Sequence, residues 1–276
     1  MMNIIRADLY RIFRGKAIYI TFAVMLAIII LSVFIFHSMP TTEFGVVVTV
    51  GEFDPDTLEF INEPEPATPD VMDGAFVARM TISNMENMAF FFLPIIVAVA
   101  MAMFSTGAVK NELSTGLDRT KLYFSKFTLS AVLCLIFMLL YFLLFVIFAT
   151  IINGLGYWGD GLLPSLLKSL GSLMVLTLAF NSVGIFLCFA TRRTAAVNGL
   201  YIALLFVPMM IVSLLALAFP GAINFLNYEL MHQFDFLSQV TDLPTAQLIR
   251  SFATCLGFIL VPMLAGVGLF RRAEIK

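Results

Sequence analysis

Charge is scarce in this chain. Asp, Glu, Lys and Arg together make up 12% of its 276 residues, against about a quarter in an ordinary soluble domain. The deficit is concentrated rather than spread. Ala17–Thr42, Asn87–Val109, Phe127–Gly159, Ser169–Thr191, Thr194–Tyr228 and Ser251–Phe270 contain none of the four residue types. A hydrocarbon core about 30 Å thick takes roughly 20 apolar residues at 1.5 Å of rise each. A charge at its centre costs about 3 kcal/mol on insertion scales. Uncharged runs of this length, in a chain that is 61% hydrophobic, exclude a water-soluble globule. Where a run exceeds one span, the excess reads as interfacial or re-entrant.

Other absences narrow the chemistry. No G-x-x-x-x-G-K-[ST] phosphate loop occurs, so the chain is not expected to bind ATP in that manner. Leu113-Ser114-Thr115-Gly116 has only a superficial likeness to a nucleotide-binding signature. The two histidines, His37 and His232, have no second imidazole near them in sequence, and no H-E-x-x-H is present. Cys134, Cys188 and Cys255 each fall inside an uncharged run and read as small packing residues, without a disulfide or metal pattern. No Asp, Glu or Lys inside a span offers a proton relay. Paired acids or a Ser/His arrangement for intramembrane proteolysis are also missing. The expectation is a chain that is not an enzyme by itself, holds no cofactor or metal, and binds no nucleic acid.

The charges that remain are sorted by side. Arg6, Arg11, Arg14 and Lys16 precede the first run, which places the N-terminus in the cytoplasm. Alternation then puts 13 of the 16 Lys and Arg residues inside, leaving Arg79, Lys168 and Arg250 outside. Of the 18 acidic residues only Asp8, Glu112, Asp118 and Glu274 fall inside. Six spans with both termini inside is the arrangement that keeps this bias. The first apolar region is about 20 residues long and no small-x-small site follows, so it reads as a retained span rather than a cleaved signal.

The expected organisation is a single all-α transmembrane domain over residues 1–276. Its spans lie at about 17–36, 88–109, 127–152, 166–190, 196–218 and 251–270, with outer segments at 37–87 and 219–250. Before the first span, Ile5, Leu9 and Ile12 fall at helical spacing, with Arg6, Asp8, Arg11 and Arg14 elsewhere around the turn. That pattern is either a basic amphipathic helix lying in the inner interface or an ordinary positive anchor. The outer segment from His37 to Glu86 holds ten acidic residues and one basic one. Val46–Val50 reads as a short strand, paired with Leu58–Ile61, and Glu52–Asp73 as solvated and loosely ordered. The acidity could attract a cationic substrate, although a solvated loop is the plainer reading. The second outer segment mixes Phe225, Leu230, Phe234 and Leu237 with polar groups and is expected to dip into the outer leaflet. Asn181, within the fourth span, is expected to make an interhelical hydrogen bond rather than touch substrate.

The most informative stretch is Phe104–Phe127, FSTGAVKNELSTGLDRTKLYFSKF, where charge and glycine interrupt the membrane pattern on the inner side. Gly107 and Gly116 permit tight turns around one short helix, and Lys110, Glu112, Arg119, Lys121 and Lys126 offer a surface for salt bridges to a soluble partner. This stretch resembles the hinge of ABC exporter permeases of the ABC-2 group. Gly107-Ala-Val-Lys110-Asn111-Glu112 is similar to their coupling helix, Gly116-Leu-Asp-Arg119 to the turn after it, and Tyr123-Phe-Ser-Lys126 to the opening of the third span. The resemblance implies a multi-pass permease of the bacterial cytoplasmic membrane that pairs with a second permease chain, the same or related. Two cytoplasmic ATPase subunits, which would carry ATP and Mg, would dock against the hinge. The 29 Phe and 16 Met suit an apolar or amphipathic cargo, with peptide favoured. The rival readings are a permease of the same group for an ion or small drug, and a non-transporting membrane scaffold or sensor.

Overall fold

The computed structural model describes residues 2–38, 73–105, 107–109, 114, 116, 118–159, 161–239 and 244–272. All regular structure among them is helical. Six helices are long and apolar enough to cross a membrane. The expected strands at 46–50 and 58–61 and the loop at 52–72 lie outside the described residues.

An N-terminal helix, α1 (Met2–Arg14), is followed after Gly15 by the first span, α2 (Lys16–Ser38). A short helix, α3 (Gly74–Ser83), leads through a 3-10 turn at Met85–Asn87 into the second span, α4 (Met88–Ala100), and a helical turn, α5 (Ala102–Ser105). The remaining spans are α6 (Arg119–Asn153), α7 (Leu162–Thr191), α8 (Thr194–Ala218) and α10 (Thr245–Arg272). Between the last two lie a 3-10 helix (Pro220–Tyr228) and α9 (Gln233–Ser238).

Several boundaries differ from expectation for local reasons. The third span opens at Arg119, well before its apolar run, because Asp118 caps it: the carboxylate accepts from the Thr120 N–H at 3.1 Å. The second span ends sooner than residue 109. Its α-helix stops at Ala100, and by Gly107 the backbone has a φ of +67°, which ends a helix. The segment between the first two spans contains a helix that the sequence did not announce. Asp73 caps α3 by accepting from the Phe76 N–H at 2.8 Å, and Val77, Ala78 and Ile82 bury its inward face. Gly74 donates to the Gly154 carbonyl at 3.0 Å, so α3 is docked on the C-terminal end of α6. Pro94, Pro208 and Pro262 sit within helices, as spans tolerate when neighbours meet the freed carbonyls.

The most enclosed span is α7, with 67% of its most apolar stretch buried against 11% for α8 and α10. Its polar groups reach across to neighbours instead of facing lipid. Ser169 Oγ donates to the Ser238 carbonyl and Ser182 Oγ to the Ile259 carbonyl, both at 2.7 Å. Asn181 Nδ2 donates to the Phe127 carbonyl at 3.2 Å, an interhelical bond of the expected kind. From α8, Tyr201 donates to the Ala89 carbonyl of α4 at 3.1 Å.

Close helix approach depends on Gly266 of α10, which faces the buried Tyr123 ring of α6. A Cβ there would collide with the phenol oxygen and sit 2.8 Å from Cε2 and Cζ. Gly266→Ala is therefore expected to destabilise the fold by about 1–3 kcal/mol, as overpacking does. Adding Tyr123→Phe, which removes only the oxygen, should recover part of the loss. Equal thermal stability of wild type and Gly266→Ala in detergent would show that α6 and α10 do not pack this closely.

Candidate functional site

Of the residues that the sequence singles out between the second and third spans, Gly107, Gly116, Arg119 and Lys126 are described, and they lie at one end of the bundle. The start of α2, the ends of α4, α7 and α10, and the start of α6 all lie there, and α1 packs beside them. Four aromatic side chains hold those ends together. Phe189 of α7 lies at the centre, with ring centroids 4.7 Å from Tyr123, 4.8 Å from Phe270 and 5.5 Å from Phe104. The last two contacts are edge-on, the favourable arrangement for aromatic quadrupoles. Arg119 adds a polar tie. Its Nη1 donates to the Phe270 carbonyl at 3.3 Å and the Arg271 carbonyl at 3.0 Å, meeting two of the carbonyls a helix leaves open at its C-terminus.

The charge at the centre of this end is the Asp8–Lys126 pair. Lys126 Nζ donates to Asp8 Oδ2 at 2.6 Å, and both side chains are almost entirely out of water. Arg11 approaches the other Asp8 oxygen at 3.7 Å. This corrects the expectation that Lys126 presents its ammonium to a soluble partner: it is fully buried and already paired. It also corrects the placement of Asp8 away from the apolar face. Asp8 lies three residues after Ile5 and four before Ile12, so it shares their inward side; Ile12 is buried, and Ile5 and Leu9 are partly so. The spacing was a usable signal, but a lone carboxylate reads as a solvated group until a buried partner is known.

Gly107 and Gly116 are exposed, with φ of +67° and +82°. Both occupy the left-handed region where side chains are strained, so the chain turns sharply on each side of the intervening segment. Lys110, Asn111 and Glu112 lie outside the described residues. Arg11 is on the exposed side of α1.

The arrangement is built from ring contacts, helix-end hydrogen bonds and one buried ion pair. No group of three or more His, Cys, Asp or Glu side chains that could hold a metal occurs among the described residues. What the geometry supplies is a rigid joint: α1, α6, α7 and α10 are pinned to one another beside a polar segment with a glycine turn at each edge.

The pair gives a direct test. Removing one member of a buried ion pair leaves the other charged and unpaired, which costs about 3–5 kcal/mol, whereas replacing both with apolar residues is often close to neutral. Asp8→Ala and Lys126→Ala are each expected to lower thermal stability strongly, and Asp8→Ala with Lys126→Met to restore most of it. Additive losses in the double variant would show that the two do not form a pair.

A family described as "Protein of unknown function (DUF2705)" matches residues 44–275. No curated protein matches the chain.

Proposed function

The chain belongs to the DUF2705 family, and on that footing we propose that it is the membrane half of an ATP-driven exporter of the ABC-2 group. The family description names no activity, so the reading rests on the chain itself. The observation that carries it is the joint at the inner end. A short polar segment between the second and third spans, with a glycine turn at each edge, sits beside a pinned cluster of helix ends and an N-terminal amphipathic helix. Lys and Arg residues crowd the same end of the described bundle, with Arg79, Lys168 and Arg250 the exceptions. By the positive-inside rule that end faces the cytoplasm, with both termini, in the bacterial plasma membrane. The acidic segment 37–87 then faces outward.

In this reading the segment containing Lys110, Asn111 and Glu112 docks on a cytoplasmic ATPase, two copies of which serve a pair of permease chains. ATP and Mg are held by those partners. Closure of the ATPases on ATP displaces the docked segment, and Arg119 passes the displacement to α6 and, through the carbonyls it caps, to α10. The permease must have two packings of different affinity for the closed ATPase pair, since only differential binding moves an equilibrium. The cargo is an amphipathic or apolar molecule, with peptide favoured, because the charges within the spans lie toward their ends.

Two measurements test this. Ser114→Cys in intact cells should react with a membrane-impermeant maleimide only after the inner face is opened; labelling from outside would reverse the topology and end the reading. Co-expression with a phosphate-loop ATPase encoded beside this gene should give a stable complex. Glu112→Arg should weaken that complex by about tenfold, a loss of about 1.4 kcal/mol. Purification without any ATPase, together with export unaffected by Glu112→Arg, would favour a scaffold or sensor.

A further inference from the structure

At the opposite end of the bundle, a cavity of about 310 Å³ opens between α4, α8 and the segment leading to α9. That is the lower end of the range for sites that enclose a small organic molecule. Its apolar wall comes from Phe90 of α4 and from Phe206 and Met209 of α8. The two phenylalanine rings lie 5.9 Å apart, tilted by 32°. Its polar wall is mostly acidic, with Glu86, Glu229 and Asp235 and a single imidazole, His232. That imidazole is engaged, with Nδ1 3.1 Å from Asp235 Oδ2.

Glu229 is the distinctive member. It is only 8% exposed. One oxygen, Oε2, accepts from the His232 N–H at 2.7 Å and caps the turn before α9. The other, Oε1, is buried with no hydrogen-bond partner. A role confined to capping accounts for the first oxygen and leaves the second costly, because an unmet buried acceptor forfeits its hydration. Burial raises the carboxyl pKa, and a cation alongside would lower it again. Glu229 also borders a second cavity of about 200 Å³ walled by Phe225, Tyr228 and Phe258, which leaves apolar space on both of its sides. The same outer segment already holds a cation against rings: the Arg250 guanidinium lies 5.9 Å from the Tyr228 centroid and 5.7 Å from Phe236.

We propose that this outer cavity binds an ammonium group carried on an apolar body, with an ammonium N–H donating to Glu229 Oε1 and the body lying against Phe90, Phe206 and Met209. Glu86 and Asp235 add negative charge around the bound cation, and the rings add attraction for it through their faces. A metal ion fits less well, since among the described residues these carboxylates are not gathered closely enough for three of them to ligate one ion. As a cargo site the cavity rests on the exporter reading; as a binding site it stands without it. The ammonium could belong to a small amine or to a lysine side chain of a peptide.

The test uses the full chain purified alone in a neutral maltoside detergent, so that neither lipid amines nor an ATPase contribute. Tryptamine, a soluble aromatic ammonium, is titrated against tryptophol, its neutral counterpart, by calorimetry. Wild type should bind tryptamine at least tenfold tighter than tryptophol, and Glu229→Gln should abolish that preference while leaving tryptophol affinity unchanged. Glu86→Gln alters an exposed wall residue with no part in the turn; it should weaken tryptamine a few-fold even if the Glu229 variant fails to fold. Equal affinity of wild type for the two compounds, absence of saturable tryptamine binding, or a Glu229→Gln protein that keeps the preference would overturn the site. An N-acetylated tripeptide amide of leucine, lysine and leucine separates the sources. Competition with tryptamine assigns the site to peptide lysines as well, and binding of tryptamine alone confines it to small amines. Because no ATPase is present, failure here leaves the coupling proposal standing, and failure of the ATPase complex leaves the amine site standing.

Discussion

A carboxylate and an ammonium 2.6 Å apart, both nearly out of water, join residues 118 positions apart in sequence. Desolvating either charge alone would cost several kcal/mol, so each has a place in the interior only because the other is there. The consequence for α1 is specific. With Asp8 turned inward against Lys126, the roll of the helix is fixed, and Ile5, Leu9 and Ile12 follow Asp8 toward the bundle. Tyr10 and Phe13 are then forced outward beside Arg6, Arg11 and Arg14, at 67% and 53% exposure. Aromatic and basic side chains mixed on one outer face suit a helix lying at a lipid interface, where ring and headgroup meet. The amphipathic N-terminus is thus less a free anchor than a collar fastened to the third span.

The rest of the bundle divides according to how it satisfies polar groups without water. α7 sends Ser169, Asn181 and Ser182 to backbone carbonyls on three different elements, which makes it the post around which the others are arranged. α8 and α10 do far less of this, and most of their surface stays outside the packed interior. Such surface requires either lipid or a second copy of the chain. An exporter built from two permeases would use part of it as the pairing face.

The sequence told much of this and hid particular parts. All six spans were legible because length and lack of charge are set by the bilayer, not by tertiary packing. Boundaries were not, because caps decide them: Asp118 begins α6 ahead of the apolar run. α3 escaped notice since it is too short to span and carries Arg79, yet Asp73 three residues before Phe76 was a readable N-cap. Asp8 lay at the right spacing for an inward residue, but nothing local named its partner on α6. The outer cavity was still less accessible to sequence, since Glu86 and Glu229 come from segments separated by four spans. Gly107 and Gly116 were read correctly as turns. The residues between them that the resemblance singles out lie outside the described structure, so for them the sequence remains the only source.

The two ends of the molecule are connected by differences in stiffness. At about 1.5 Å per residue α6 is about 52 Å long, some 20 Å more than the hydrocarbon it crosses, so it reaches beyond the membrane without a break. Its inner end is locked by Asp8, by the Arg119 bonds to α10 and by Tyr123 wedged against Gly266. In the exporter reading, a push delivered next to Arg119 would move α4, α6, α7 and α10 together. α8 is joined to that body by Tyr201, which donates to the Ala89 carbonyl of α4, yet it is far less enclosed than α7. It supplies none of the four rings of the inner cluster, and its buried stripe of Val197, Tyr201 and Leu205 stops short of Pro208, leaving the outer half lightly held. That outer half carries Met209, beside Phe206, against the acidic wall formed by Glu86 and Glu229. In the exporter reading, motion of that body relative to α8 would change the width of the cavity between α4 and α8, a geometric route by which force applied at one end could alter binding at the other.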